Sequence, residues 1–534
     1  MTDSHPISET ELDELIERVK QAVEQNLSLS NEDLSLLLNA LLMLVQLQQK
    51  MGENDITLHK LRKLAGLVSA SEKLKDVLPN AVKPARQRSK KPTPKTPSEP
   101  VVHQRCHHKI EGLEKGQRCP ECERGSLYQY EPALMLRISG QTPLTRTEHI
   151  LERLRCNTCG AYFTAVPPQS VKQDGQANQR YGYTARALMA LHRYFAGLPC
   201  YRQQTLQQML GLPVSASTVF DQCEHLANAI HPLFRCLLLL AAQAVHYHLD
   251  DTTNRILTQK PVDKPNRRTG KLQSRSGIYT SGVLATLAGG EICVLYQTNI
   301  GHAGEWLDEI LAARLATAEK PIIMSDALSA NRSYALKEYH LSLCNAHARR
   351  EFVDLVNSFP DQVTWVLQRY DQIWEHERHC QESSLSPAQR LRYHEQHSLP
   401  VMTEIRVWAK QQLDTETVEE NSALGKALRY FDKHFEGFTA FCRLEGAQLD
   451  NNVMEQALKL ILRGRKNSLF FKTPAGAAIA DVISSVIATA KQADINVFDY
   501  LVVLQRHADQ VKQQPELWLP WNYQQALALV DQAA

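Results

Sequence analysis

The feature that most constrains this chain is an ordered alternation of strand and helix patterns between residues 245 and 347. Apolar Val245, Tyr247 and Leu249 alternate with polar residues, which predicts a strand that ends with Asp250 on its polar face. Two strand-like segments that flank a glycine-containing turn predict a hairpin next. In chain order, the further predicted elements are strands at 278–287 and 292–298, a helix at 304–313, a strand at 321–325, a short helix, and a strand at 341–344.

Three strands, a helix, a strand, a helix and a last strand is the order of a ribonuclease H-like fold. In such a fold the first and fourth strands are neighbours, so Asp250 and Asp326 are expected side by side. Two carboxylates held close together repel each other unless a divalent cation lies between them. The pattern therefore predicts a metal-binding pair of acids at one edge of a sheet.

A later helix offers a third acid. Asp450 is placed to cap this helix, and its apolar face repeats at helical spacing through Met454, Ala457, Leu458 and Ile461. The same spacing leaves three polar residues together on another face, namely Asn452, Glu455 and Lys459. Glu455 is therefore expected to be presented to the site rather than buried.

Two Cys-x-x-Cys pairs, Cys119 with Cys122 and Cys156 with Cys159, predict a zinc ribbon. Each pair can direct two thiolates at one ion, and four thiolates give tetrahedral zinc. A redox pair and buried free thiols are the alternatives. Further residues just before the first pair are either alternative ligands or a surface cluster: His103, Cys106, His107 and His108.

The amino-acid composition limits the class of protein and the cellular compartment in which this chemistry is expected. The 60 lysines and arginines against 58 acids give a net charge of +2, which excludes a uniformly basic nucleic-acid coat but not a local basic surface. Apolar runs stay well below the roughly 20 residues of a membrane helix, and the N-terminus is acidic and polar. Twelve cysteines in 534 residues are too few for a disulfide scaffold. We expect a cytoplasmic protein that makes no membrane contact.

The chain is expected to be multidomain and mostly helical around an α/β core. Its predicted parts are an N-terminal helical DNA-binding or oligomerisation region (1–80), a basic proline-rich linker (81–102), a zinc-finger domain (103–170), a helical connector (171–240), the first part of the core (241–350), an all-helical insertion (351–447), the core helix that carries the third acid (448–490) and a helical tail (491–534). The linker is either a solubilising hinge or a segment that contacts phosphates. The connector is compatible with a DNA-reading helix-turn-helix or with plain helical packing.

Five motifs together resemble those of DDE transposases of the insertion sequence 66 family. They are Leu249-Asp250-Asp251-Thr252, Ser325-Asp326-Ala327, Cys344-Asn-Ala-His347-Ala-Arg349-Arg350, Leu449-Asp450-Asn451-Asn452-Val-Met-Glu455 and Arg463-Gly464-Arg465-Lys466-Asn467-Ser-Leu-Phe470. The resemblance implies metal-dependent DNA cleavage and strand transfer at the ends of a bacterial insertion sequence. It implies that Asp250, Asp326 and Glu455 form a catalytic triad that binds two Mg²⁺ ions, and that the zinc and N-terminal regions bind transposon-end DNA.

The first motif departs from the family's usual Asp-Glu-Thr-Pro. This chain has Asp250-Asp251-Thr252-Thr253, so two acids are adjacent. Side chains of successive strand residues point to opposite faces, and this alternation favours Asp250 as the metal ligand.

Other residues are predicted to support the site or to contact DNA. Cys344 and His347 are expected to pack or orient the active site, with metal binding and phosphate contact as alternatives, and Asn451, Asn452 and Lys459 are expected to support it. The DNA-binding candidates either neutralise phosphates or form a solvated face; they lie in the linker, in a predicted loop after the first strand and near the acid-bearing segments: Lys83, Arg86, Arg88, Lys90, Lys91, Arg267, Arg268, Arg349, Arg350, Arg463, Arg465 and Lys466.

The expected partners are double-stranded DNA of the transposon ends and of the target, further copies of the chain on that DNA, and accessory proteins of the element. Two rival functions remain open at this point. One is a ribonuclease H-like nuclease without strand transfer, and the other is a catalytically silent DNA-binding protein derived from a transposase.

Overall fold

The computed structural model describes residues 18–20, 30, 33–34, 36, 115–118, 120, 126–127, 142–155, 162–176, 179–266, 269–336 and 338–533. The predicted basic linker, the four predicted zinc ligands and the pair Arg267 and Arg268 lie outside the described residues. The chain divides into two compact units, 1–84 with 349–371 and 85–348 with 372–534.

Most of the described chain is helical, and its strands are short or gathered in one sheet. The strands are β1 (Arg153–Arg155), β2 (Tyr162–Thr164), β3 (His246–Asn254), β4 (Val262–Pro265), β5 (Leu272–Arg275), β6 (Ile278–Thr286), β7 (Ile292–Asn299), β8 (Ile322–Ser325) and β9 (His340–Leu343).

The α-helices are α1 (Gln169–Gln173), α2 (Tyr183–Ala190), α3 (Cys200–Met209), α4 (Ala216–Ala241), α5 (Ala303–Leu311), α6 (Asn345–Val353), α7 (Pro360–Glu382), α8 (Pro387–Asp414), α9 (Ala423–Lys433), α10 (Phe435–Phe438), α11 (Asn452–Ser468), α12 (Pro474–Gln492), α13 (Val497–Arg506), α14 (Ala508–Gln513) and α15 (Tyr523–Ala533). A π-helical turn follows α2, and short 3-10 turns lie at Ser329–Asn331, Ala440–Cys442 and Pro515–Trp518.

Within the described residues, the largest sheet has five strands in the order β7-β6-β3-β8-β9. Strand β6 is antiparallel to both β7 and β3, whereas β8 runs parallel to β3 and β9 runs parallel to β8. Counted along the chain, the first and fourth strands of this sheet are therefore neighbours. This confirms the pairing that the sequence predicts for the strands carrying Asp250 and Asp326.

The two faces of β3 meet different partners because its side chains alternate. Tyr247 and Leu249 are fully buried in the main core, together with the apolar face of α4 and residues of α12. His248 and Asp250 point to the opposite face, where α11 lies against the sheet. The catalytic candidates thus stand on the α11 side of the sheet.

Helix α11 approaches the sheet closely because one strand residue has no side chain. Met454 and Leu458 are buried against residues of β6 and β7. Gly282 of β6 is the direct cross-strand partner of Asp250, and a Cβ atom added there would lie 2.3 Å from Met454 Cε. Glycine at this position therefore lets the helix that carries Glu455 approach the sheet beside Asp250 of β3.

The free edge of β7 is covered by three side chains of α12. Asp481, Ser485 and Thr489 accept hydrogen bonds from the backbone N–H groups of Thr298, Tyr296 and Val294 at 2.7, 2.9 and 3.0 Å. Their spacing of four residues puts all three on one face of the helix. An edge that could pair with another strand is thereby closed.

The predicted helical insertion is helical, but the segment after β3 differs from the prediction. Helices α7 to α10 occupy the insertion, and Ser386 caps α8 in a capping box with Gln389. The segment predicted as a loop contains the antiparallel pair β4 and β5. Arg275 of β5 fixes this hairpin through an ion pair with Glu305 of α5 at 2.5 Å, a tertiary contact that local sequence patterns do not encode.

Candidate active site

Asp250 and Asp326 lie just beyond the end of the parallel pairing between β3 and β8. The sequence predicts that the first strand ends at Asp250, but β3 continues for four more residues, to Asn254, in its antiparallel pairing with β6. The register pairs His248 of β3 with Met324 of β8. Continued by two residues, this register puts Asp326, directly after β8, level with Asp250. The carboxyl ends of parallel neighbours meet at one edge of a sheet, which brings the two acids together.

Glu455 reaches the same edge from the first turn of α11. Burial raises the pKa of Asp250 to about 7, and the negative charges of Asp326, Asp251 and Glu455 add to this shift. The three predicted acids are thus close enough to act on one another electrostatically. Two from neighbouring strands and one from a helix converge at one place.

Asp326 is held by two hydrogen bonds that no sequence pattern predicts. Its Oδ1 atom accepts hydrogen bonds from the backbone N–H of Leu328 at 3.1 Å and from Asn331 Nδ2 at 2.8 Å. Asn331 belongs to the 3-10 turn after β8 and is 1% exposed. An asparagine a few residues beyond a strand-end acid is a weak signal, because such residues are also common in turns.

Asp251 is engaged elsewhere. Its Oδ2 atom lies 2.8 Å from His302 Nδ1, at the start of α5, and the hydrogen bond with this carboxylate raises the pKa of His302. The ring of Tyr279 lies 4.2 Å from the histidine ring, centroid to centroid. Strand alternation and this partner both direct the Asp251 carboxylate away from that of Asp250, although its charge still adds to the raised pKa of Asp250.

Asn451 connects α11 to the strand that carries Asp250. Its Nδ2 donates to the carbonyl oxygen of Leu249 at 2.8 Å, its Oδ1 lies 3.0 Å from His248 Nδ1, and its backbone N–H donates to Cys344 Sγ at 3.2 Å. Burial lowers the pKa of His248 to about 4, so the ring is neutral and Nδ1–H donates to the asparagine. These bonds fix the start of the Glu455 helix on the sheet.

The start of α11 differs slightly from the prediction. Asn451, rather than Asp450, is the N-cap residue. Asp450 still accepts the backbone N–H of Asn452 at 3.0 Å and the side-chain amide of the same residue at 2.7 Å. Lys459 is exposed one turn beyond Glu455.

Cys344 and His347 also lie at this site. One ligand atom from each, with a carboxylate oxygen of Glu455, forms a group whose members all lie within 4.8 Å of one another. His347 Nδ1 is 3.7 Å from Glu455 Oε1. Cys344 is fully buried, and burial raises the pKa of its thiol to about 12. The predicted supporting pair is therefore in direct reach of the third acid.

Comparison with known proteins identifies the family. The profile described as Transposase IS66 family matches residues 178–479, which is more than half of the chain and includes all three acids. The chain belongs to the IS66 transposase family. Membership gives it a transposase role and implies that it binds DNA.

Relatives of this IS66-family chain occur in Sinorhizobium fredii and are themselves uncharacterized. The chain is similar to y4hP, with 26% identity over 403 residues that cover 71% of this chain and 68% of the relative. It is also similar to y4jD, with 30% identity over 188 residues that cover 34% and 36%. A third similar protein, y4qI, is 24% identical over 371 residues, covering 67% and 65%.

The basic residues predicted to bind DNA in this IS66-family chain differ in their exposure and in the hydrogen bonds that they already make within the protein. Arg463 and Lys466 are exposed on α11, although Arg463 also donates to the carbonyl oxygen of Phe195 at 2.6 Å. Arg465 is tied to the end of β3, where it bonds Thr252 Oγ1 at 2.8 Å and the backbone of Thr253. The last two, Arg349 and Arg350, belong to the compact unit made of 1–84 and 349–371. Arg349 is buried and Arg350 is half-buried.

Within the part of the chain that the structure describes, no helix combines the length and the apolarity needed to cross a membrane.

Proposed function

We propose that this chain is a DNA transposase that cleaves and joins the ends of an insertion sequence, with Asp250, Asp326 and Glu455 as its catalytic residues. The observation that carries the proposal is the convergence of these acids at one sheet edge, from β3, from the end of β8 and from α11. The strand order, with an antiparallel second strand and a parallel fourth and fifth, supports a ribonuclease H-like core.

The residues present fit a divalent metal site. Three carboxylates supply the hard oxygen ligands that Mg²⁺ prefers. Glu455 Oε1 is buried without a hydrogen-bond partner. Burial raises the pKa of Asp250 to about 7, and the neighbouring carboxylates add to this shift, as expected for acids gathered at one place. When bound, two such ions supply activation of a water or a DNA 3′-hydroxyl and stabilisation of the leaving oxygen at phosphorus.

The chain's own residues hold this acidic cluster in place. Asn331 and the backbone N–H of Leu328 orient the carboxylate of Asp326. Asn451 fixes the start of α11 to β3, and the buried Met454 anchors the helix beside Glu455. Because these contacts already hold the carboxylates in place, the acids need no further rearrangement to bind metal ions during the reaction.

We also propose that a zinc ribbon and the basic linker contribute to DNA binding. The residues around the first cysteine pair, Cys119 and Cys122, are paired in antiparallel fashion, since Arg118 bridges Ser126 and Gly116 N–H donates to Leu127. The second pair falls between β1 and β2, which are also antiparallel. Antiparallel pairing of the residues on either side of each cysteine pair supports a tetrahedral thiolate site in which the ligands are Cys119, Cys122, Cys156 and Cys159.

The proposal is tested with DNA that carries the terminal sequences of the element. The full-length protein with Mg²⁺ is expected to cut at the element end and to join a pre-cleaved 3′-hydroxyl end to target DNA. Cleavage without joining would favour a nuclease, and DNA binding without either reaction would favour a catalytically silent protein. Random DNA of the same length is the matched control.

A further inference from the structure

A second set of donor atoms shares Glu455 with the acidic cluster. Cys344 follows β9, His347 lies in the first turn of α6 and Glu455 lies in the first turn of α11. Their sulfur, nitrogen and carboxylate atoms lie within 4.8 Å of one another. Two distant parts of the chain, one with Cys344 and His347 and the other with Glu455, thus present three different ligand types to one point.

Two atoms of this group are buried without any hydrogen-bond partner. They are His347 Nδ1 and Glu455 Oε1, and the 3.7 Å between them is too long for a hydrogen bond. Buried polar atoms are normally paired, so an unpaired facing couple calls for an explanation. Two ligands on one tetrahedral ion, each about 2.1 Å from it, lie roughly 3.4 Å apart. The observed separation is close to that value.

The environment of the sulfur suits a metal-bound thiolate. Cys344 Sγ accepts the backbone N–H of Asn451 at 3.2 Å and a backbone hydrogen bond from His347. Donors of this kind stabilise the anionic sulfur once a metal has displaced its proton. Thiolate, imidazole and carboxylate together favour zinc or a similar transition metal over Mg²⁺, which prefers oxygen ligands.

We propose that Cys344, His347 and Glu455 bind a zinc-type ion, and that this ion inhibits DNA cleavage by withdrawing Glu455 from the catalytic acids. The binding follows from the donor group alone, whereas the inhibition rests on the proposed function. Three protein ligands leave one coordination position open.

Cobalt titration of the full-length protein tests the binding, because Co²⁺ bound to a thiolate absorbs in the near ultraviolet. Wild type should bind one more thiolate-coordinated Co²⁺ than Cys344→Ser. Cys380→Ser is the matched control, since Cys380 is also buried and lies 3.8 Å from His394 Nε2, and it should behave as wild type. The predicted ribbon cysteines are the same in all three proteins and contribute equally.

Glu455→Gln provides a second variant that keeps every thiol. It should lower the affinity of this extra cobalt about tenfold or more, as expected when one ligand is weakened. Circular dichroism shows whether each variant is folded. Equal cobalt binding by wild type, Cys344→Ser and folded Glu455→Gln would overturn the proposed site.

The inhibition is measured as DNA cleavage in excess Mg²⁺ with increasing Zn²⁺. Wild type should be inhibited at zinc concentrations at least about tenfold lower than Cys344→Ser, each compared with its own zinc-free rate. Equal zinc sensitivity would overturn the inhibitory role. If the wild type cleaves no DNA with Mg²⁺, the proposed function fails, while the cobalt result decides the metal site by itself.

Discussion

Replacing Gly282 by alanine tests how the sheet positions the Glu455 helix. The new Cβ would lie 2.3 Å from Met454 Cε and 3.2 Å from Leu458 Cδ2, and both side chains are buried. Either Met454 changes rotamer in a filled core or α11 moves outward. Overpacking of this kind lowers the free energy of unfolding by about 1–3 kcal/mol. Because Glu455 follows Met454 directly, a helix shift of ~1 Å would lower the cleavage rate by about 100-fold.

Urea denaturation and the rate of end cleavage measure the two effects separately. Gly464→Ala is the matched control, because this glycine lies in the same helix and an added Cβ meets nothing within 4 Å. It should leave the protein equally stable or stabilise it by up to about 1 kcal/mol. Met454→Ala combined with Gly282→Ala should cost less than the sum of the single changes, since it removes the clashing atom. Wild-type stability and activity in Gly282→Ala would refute this packing argument.

Three further predictions concern individual side chains. Asp251→Asn should reduce the cleavage rate far less than Asp250→Asn does. The same change should lower the free energy of unfolding by about 1 kcal/mol, because it weakens the hydrogen bond to His302. Cleavage kinetics and thermal melts measure the two effects. Metal analysis should find one tightly held zinc in the full-length protein beyond any held at the Glu455 cluster, and Cys156→Ser with Cys159→Ser should remove it. Asn331→Ala should lower the cleavage rate about tenfold with an unchanged circular dichroism spectrum, because Asp326 loses an orienting amide.

The elements that the sequence predicted well are those with strong periodicity. Alternation located the start of β3 and the β6–β7 hairpin to within a residue or two, although β3 ends at Asn254 and not at Asp250 as predicted. The predicted strands that end before Asp326 and at Cys344 are β8 and β9. Helical spacing correctly put Met454 and Leu458 on the buried face of α11. These patterns are visible because burial of one face imposes a period on a continuous segment.

The contacts that complete the site could not be predicted in this way. His302 meets Asp251 across 51 positions, and Asn451 bonds Leu249 across 202. Such pairs depend on how whole elements pack against one another. A single sequence does not reveal this packing, because the residues concerned follow no periodic pattern. Gly282 is a further case, since a glycine inside a strand indicates a close approach without telling what approaches.

The β4–β5 hairpin was missed for a related reason. Its strands are mostly exposed and include Pro265, so they lack the apolar alternation typical of a half-buried strand. Lys264 donates to the carbonyl oxygen of Ile300 at 2.7 Å, and Arg275 pairs with Glu305. Polar tertiary contacts of this kind hold the hairpin, and they leave no periodic signal in the sequence.

The most direct test of the central claim is Mg²⁺-dependent cleavage and joining of element-end DNA by Asp250→Asn, Asp326→Asn and Glu455→Gln. Each variant should remain folded and bind end DNA, because removing one charge from a repelling cluster does not destabilise the metal-free protein. Each should lose cleavage and joining by about 100-fold or more, since all three carboxylates are needed to hold the ions. Full activity in any of the three folded variants, or a larger loss in Asp251→Asn than in Asp250→Asn, would contradict the proposed catalytic triad.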